Sequence, residues 1–324
     1  MSLSWAEVDS GTYGNPELSD QLRFAASKMM SLYELVTPGD DLFIGKKSGD
    51  SVAFKLAGPI TGTSETALSE FQKVPMATIP QYEVSATVYR RGLAVPFTKL
   101  REDLDRLTVE DAIIHALKEH SARTHQKVIY DALVAGRSFC YTPTSASAGN
   151  FTTNGSPSGT AAADLSAFHL RKIKLNLTKY NTPYADGENY HAVFSPTAIM
   201  NLFNDGTSTN TGFVDVKKYA AGGADGLLKG ELGTYMKIRI MEDNYTDVLS
   251  DSIGSGSAYG SGFICGFDAC REVLVYPMEL LANTNLGGDF GQQKAIAWLS
   301  CLSYKTVWNY TTHGQGAVCH YTTA

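Results

Sequence analysis

The stretch from Thr108 to Ala135 constrains the fold more than any other part of this chain. It opens Thr108-Val109-Glu110-Asp111, a capping-box-like start in which the hydroxyl can accept from the third amide and Asp111 lies in the first turn. Gly136 is a natural stop. At about 1.5 Å per residue the predicted helix is roughly 40 Å long, which is long for an ordinary globule. Ile113, Ala116, Leu117, Val128, Ile129, Ala132 and Leu133 supply its apolar stripe. The middle (His120, Ser121, Arg123, Thr124, His125) is polar, and is expected to cross solvent or a subunit contact.

Ahead of the helix lies extended chain. Val52, Phe54 and Leu56 alternate with Ser51, Ala53 and Lys55, and Tyr82, Val84, Ala86 and Val88 alternate in the same way. Both patterns have the two-residue period of half-buried strands. About 25 residues rich in Thr, Ser, Gly and Pro separate them, and Pro59, Pro75 and Pro80 block a sheet interior. A tight hairpin is excluded. A long projecting β-loop is the simplest geometry, and such a loop needs an outside surface to rest on.

The remaining segments read as a mixed α+β domain. Asp20 to Val36 carries Leu22, Ala25, Ala26, Met29 and Leu32 at helical spacing, either an arm on a neighbour or an ordinary packed helix. Ser138 to Ala163 holds no charged residue and reads as a surface insertion or loop. A second helix spans about Asp164 to Tyr180, with Asp164 as its expected N-cap. Tyr190 to Phe194 is a strand leading into Ser195-Pro196, a cap and N1 proline that open a short helix through Phe203. Tyr235–Met241, Phe263–Phe267, Glu272–Tyr276 and Ala295–Ser303 are further strands, with Gly-rich spacers between them. No internal repeat is visible.

Composition removes several function classes. The 27 Lys and Arg against 33 Asp and Glu leave a net charge of −6, which argues against a chain whose main task is gripping phosphate backbones. No run of apolar residues is long enough for a membrane span, and the first residues lack a secretory pattern. Five cysteines without a Cys-x-x-Cys do not make a disulfide framework.

Motifs for chemistry are equally scarce. Gly39 and Gly45-Lys46-Lys47-Ser48 have the wrong spacing for a phosphate loop, and a strand follows. No Gly-x-Ser-x-Gly or His-Glu-x-x-His occurs. His115, His120 and His125 step about 140° apart around a helix, so they cannot share a ligand face and are expected on a solvated or interface side. Cys265 falls in an apolar strand, where a small buried cysteine is expected. No catalytic, cofactor-binding or metal-ligating residue is assigned, and no enzyme activity is expected.

The order of elements resembles the major capsid proteins of tailed bacteriophages, the Hong Kong 97-type fold, and among them the shells of short-tailed phages. Arg23-Phe24-Ala25 to Val36 resembles the N-terminal arm, Gly49 to Val95 the extended loop, and Leu107 to Ala135 the spine helix. Tyr190–Pro196, Leu232–Ile238 and Phe263–Ala269 resemble successive strands of the axial domain. The resemblance implies an α+β chain divided into an arm (1–48), an extended loop (49–95), a peripheral domain with the insertion 138–163 (96–189), and an axial domain (190–324) whose last strands return to the peripheral sheet. It implies a virion location and assembly of identical subunits into hexamers and pentamers around double-stranded DNA, held without sequence-specific binding. A separate scaffolding protein, a portal and a possible decoration protein are implied partners; no membrane is. The loop-lysine crosslink of some relatives is not carried over, since nothing identifies a carboxylate partner for Lys55 or Lys73.

Phe54, Lys55, Arg90, Arg91, Arg101 and Arg106 are the candidate interface residues, the arginines being expected to pair with carboxylates of adjacent subunits. Two rival classes exist. One is a β-rich carbohydrate-binding protein or enzyme whose 17 tyrosines and three tryptophans line a cleft. The other is a different phage structural protein, such as a tail or decoration component. A lectin or glycosidase has no need of a long helix beside a long β-loop.

Overall fold

In the computed structural model the long helix runs Val109–Ala135, as its spacing predicts. The structure describes residues 6–9, 12–14, 18–23, 30–38, 51–58, 60, 68, 70–71, 73–74, 76–104, 109–152, 163–204, 231–243, 261–286, 291–308 and 318–322. The expected cap at Thr108 lies outside them. Ile114, Leu117, Ser121, His125, Ile129 and Leu133 form the buried row, so the stripe is rotated from the one expected, and Ala116 is exposed. The polar middle is therefore split rather than solvated. Ser121 and His125 turn inward, while Arg123 faces out and pairs with Glu119. Gly136 does end the helix, its amide donating to the Ala132 carbonyl at 3.0 Å. A Cβ there would stand 1.4 Å from Thr306 Oγ1, so a close approach is what requires glycine.

That approach is to a sheet of six strands. Its order is β1 (Ala6–Asp9), β2 (Thr12–Gly14), β13 (Cys270–Asn283), β14 (Gln293–Thr306) and β6 (Tyr89–Thr98), with β3 (Val36–Thr37) parallel beside β13. Trp298, Ile296 and Leu280 pack with Leu117 and Ala122 of the long helix. The N-terminal run is not one helix through Val36. Residues 18–23 are helical, and Ser31–Leu35 is a 3₁₀ turn leading into β3. The first piece packs on its own chain. Leu22 is fully buried, Ser19 Oγ accepts from the Leu280 amide at 3.1 Å, and Arg23 Nε donates to the Met278 carbonyl at 3.3 Å.

A second sheet has seven strands in the order β10 (Glu231–Tyr235), β11 (Ile238–Glu242), β9 (Tyr190–Phe194), β12 (Ser261–Cys265), β15 (Val318–Thr322), β7 (Phe139–Ser145) and β8 (Ala148–Thr152). Pairs β11–β9 and β15–β7 are parallel and the others antiparallel. The uncharged stretch after Ser138 is thus no surface insertion over its first half, because Phe139, Cys140 and Tyr141 are buried in the sheet. Residues 153–162 lie outside the described ones. Within the described hairpin Gly149 serves close packing: a Cβ on it would meet Tyr141 Oη at 2.3 Å.

The second helix (Ala167–Lys179) also belongs to this layer. Leu170, Ile173 and Leu177 share a core with Tyr190, Phe194, Ile238 and Ile240. Its N-cap is Ser166, and Asp164 instead accepts from Asn201 Nδ2 at 2.9 Å. The short helix Pro196–Asn204 opens as predicted, with Ser195 Oγ accepting from the Ala198 amide at 3.3 Å. The strand expected over Tyr235–Met241 is a hairpin. Met236 and Lys237, at φ 49° and 67°, make the turn between β10 and β11.

Candidate assembly interface

The extended loop is a two-stranded antiparallel sheet of β4 (Ser51–Ala57) and β5 (Gln81–Thr87), paired from Ser51 opposite Thr87 to Ala57 opposite Gln81. Alternation sorts its faces as predicted. Phe54 and Ala86 pack on Val273 of β13, and Val52 and Val88 flank them. Phe54 is 2% exposed and lies beneath Arg271, whose guanidinium carbon is 5.5 Å from the ring centroid. Arg271 is in turn held by the Asp268 carboxylate. Phe54 is thus an anchor of the loop within its own chain, not an exposed interface residue.

Beyond this anchor the chain carries apolar groups that no described residue covers. Phe71 is 96% exposed, Met76 83%, and Ile60, Val74 and Ile79 are more than half exposed. The helix Lys99–Leu104 buries none of its residues, and Leu100 and Leu104 sit on its surface one turn apart. These residues were missed in the sequence because a Pro- and Ser-rich context reads as solvated loop. The available signal was Phe71-Gln72-Lys73-Val74-Pro75-Met76, an apolar group held where Pro75 prevents a sheet from burying it.

The charged candidates divide. Lys55 is exposed, with Glu83 as its cross-strand partner in register. Arg90 is exposed on β6, opposite Cys301. Arg91 is turned toward its own chain: it donates to the Leu302 carbonyl at 2.9 Å and lies over the Tyr89 ring, so it is not a free partner for a neighbour. Arg101 is exposed, on the short helix Lys99–Leu104. Arg106 lies outside the described residues. In the same helix Glu102 meets Lys294 at 2.8 Å, tying that helix to β14.

Between the long helix and β14 runs a buried polar seam. His125 meets Ser300 Oγ through Nε2 at 3.1 Å and stands edge-on to Trp298 and Tyr304. Trp298 Nε1 donates to His120 at 3.2 Å. Gln126 Nε2 donates to both Asp243 oxygens at 2.8 Å. Burial, and then the positive charge of Arg91, push His125 down to about 4, so its ring is neutral at pH 7. The expectation of a solvated or interface histidine fails there. Cys265 is buried as expected.

None of this is a nucleophile or a metal centre. Burial pushes the Cys140 thiol up to about 11 and Cys270 up to about 12, away from the reactive thiolate. Among the described residues no group of three or more His, Cys, Asp or Glu is placed to hold a metal ion. What the arrangement can do is present an apolar projection and a charged base to another surface.

Solved structures decide the fold. The capsid asymmetric unit of cyanophage Pam1 superposes with a TM-score of 0.64 at 16% identity, over 90% of this chain and 88% of that one. The capsid of Ralstonia phage GP4 gives 0.64 at 13% identity, over 90% and 87%. The fold is that of phage capsid proteins. The head structure of Helicobacter pylori bacteriophage KHP40 agrees across a wider gap, with a TM-score of 0.57 at 10% identity over 91% and 90%. No family model and no curated protein matches the sequence. The α+β, Hong Kong 97-like expectation holds for the capsid fold across nine-tenths of the chain.

Proposed function

We propose that the chain is a major capsid protein, assembling with identical copies into the shell of a tailed phage. The observation that carries this is the two-stranded loop, whose exposed Phe71 and Met76 no described residue of its own chain covers. An isolated two-stranded sheet is marginal in water, and a projecting apolar tip gains by burial against another subunit. Identical copies supply that surface in the obligate class of interface, several thousand Å² in size by order of magnitude. Likeness to three phage capsid structures over nine-tenths of the chain supports the same reading.

Hexamers and pentamers are the proposed building blocks. Lys55, Arg90 and Arg101 are the proposed partners for carboxylates of adjacent subunits. The long helix with the six-stranded sheet forms the proposed peripheral unit, and the seven-stranded layer the proposed axial one. A separate scaffolding protein, a portal and packaged double-stranded DNA are the proposed partners in the virion, with a decoration protein as a further one. The proposed role is structural, without catalysis.

Negative-stain microscopy and sedimentation of the purified chain test this. Closed shells or six-fold capsomers are expected. A monomer or small discrete oligomer under assembly conditions, with and without co-expressed scaffold, would overturn it.

A further inference from the structure

The second helix presents a surface that assembly through the loop does not use. Ala167–Lys179 contains Arg171, Lys172, Lys174 and Lys179 and no acidic residue, in a chain of net charge −6. His169, Leu170, Ile173 and Leu177 face the core. At about 100° per residue, Arg171, Lys172 and Lys179 fall on the opposite, exposed side around Leu175. The β10–β11 turn extends this surface. Arg171 Nε donates to Tyr235 Oη at 2.9 Å, and two residues on the exposed Lys237 lies 5.1 Å from the Tyr184 ring. Tyr184 packs on Tyr190, whose hydroxyl donates to the Thr182 carbonyl just past the end of the helix.

Several other described cations meet carboxylates: Arg23 with Asp20, Arg123 with Glu119, Lys127 with Asp131, Arg271 with Asp268, and Lys294 with Glu102. Arg171, Lys172, Lys174, Lys179 and Lys237 form no ion pair among the described residues. Lys172 and Lys237 lie instead against the rings of Phe168 and Tyr184. The nearby Asp186 accepts from the Glu188 and Asn189 amides and faces His191 at 3.6 Å. Five cations thus lie on this helix and the adjoining turn without an ion pair among the described residues.

We propose that this face binds the phosphate backbone of duplex DNA without sequence preference, which makes it the inner face of the shell. The inward direction rests on the shell reading above; the binding does not. Phosphates require only charge and N–H donors on a convex or flat surface. A protein partner would require a desolvated apolar centre, whereas Leu175 and Met236, each about half exposed, stand among five cations on this face.

The test is fluorescence anisotropy of a labelled duplex of about 20 base pairs with unassembled chain. Four to five phosphate contacts predict about a hundredfold or greater loss of affinity between about 50 and 200 mM salt. Lys172→Glu, Lys179→Glu and Lys237→Glu together should weaken binding at least tenfold, with the three Gln substitutions intermediate. The charge-matched reversal of Lys73, Lys118 and Lys127 should not. Equal weakening by both triple reversals would overturn the proposal, since net charge alone would then explain binding. So would a patch variant that loses binding to poly-glutamate but keeps binding to duplex, which would identify an acidic protein as the occupant. Shells that form normally from a chain unable to bind duplex would overturn this assignment and leave assembly standing. Duplex binding by a chain that forms no shells would keep the patch and remove its inward direction.

Discussion

The seven-stranded layer and the two-stranded loop use the same kinds of residue and leave them in opposite states. In the layer, Phe139, Tyr141 and Phe194 are buried between sheet and helices. In the loop, Phe71 and Met76 stand in solvent, while Phe54 and Ala86 pack on Val273 and Leu56 is buried on the same strand. The difference is one of thickness. A sheet with helices against it can cover its own apolar groups; a single layer that leaves the domain cannot. The layer's apolar residues therefore stabilise the chain, and those at the loop's tip are left to solvent.

One truncation applied twice breaks or upholds this contrast. Phe194→Ala should cost about 3–5 kcal/mol of unfolding free energy in denaturant titration. Phe71→Ala should change the stability of the unassembled chain by less than about 0.5 kcal/mol, and Phe71→Asp with Met76→Asp should remove particles seen by microscopy. A Phe71 variant as destabilised as the Phe194 one would show that the loop tip packs on its own chain.

Acid sharpens the comparison next, because the buried seam lies in the folded body and not in the loop. An unfolded His125 takes a proton near 6.5, whereas the folded ring does so only near 4. The unfolded state thus binds more protons between these values, and stability falls as pH drops through that window. The loss from this one group approaches about 3 kcal/mol below pH 4. His125→Gln should flatten that part of the stability curve measured by denaturant titration at each pH; an unchanged slope would mean that the ring is solvated.

Gly136→Ala should cost about 1–3 kcal/mol, since the new methyl group must displace Thr306 at the end of the long helix. A neutral result in thermal unfolding would show that Thr306 yields freely. The smallest effect is expected at the charged base of the loop. Arg90→Glu should leave folding unchanged and raise the concentration needed for assembly a few-fold, the scale of an exposed ion pair. Unchanged particle yield would dispose of Arg90 as a contact.

Where periodicity is sustained, it could be read directly. The long helix, the alternation at Val52, Phe54 and Leu56, and the cap at Ser195 all follow from local spacing. The same reading failed where a residue's role depends on what faces it. The neutral Phe139–Thr152 stretch is a sheet hairpin whose first strand is buried and whose second is the sheet edge, which composition alone does not distinguish from a loop.

By itself the sequence determined the rod, the two strands of the loop and the scarcity of catalytic motifs, because each depends on residues a few positions apart. Only the tertiary structure decided that His125 and Gln126 turn inward, that Phe54 is an anchor, and that Phe71 and the lysines of the second helix are left without cover. Burial is set by chain segments far away in sequence: Ser300 against His125, Asp243 against Gln126, Val273 against Phe54. No local pattern contains the distances between them.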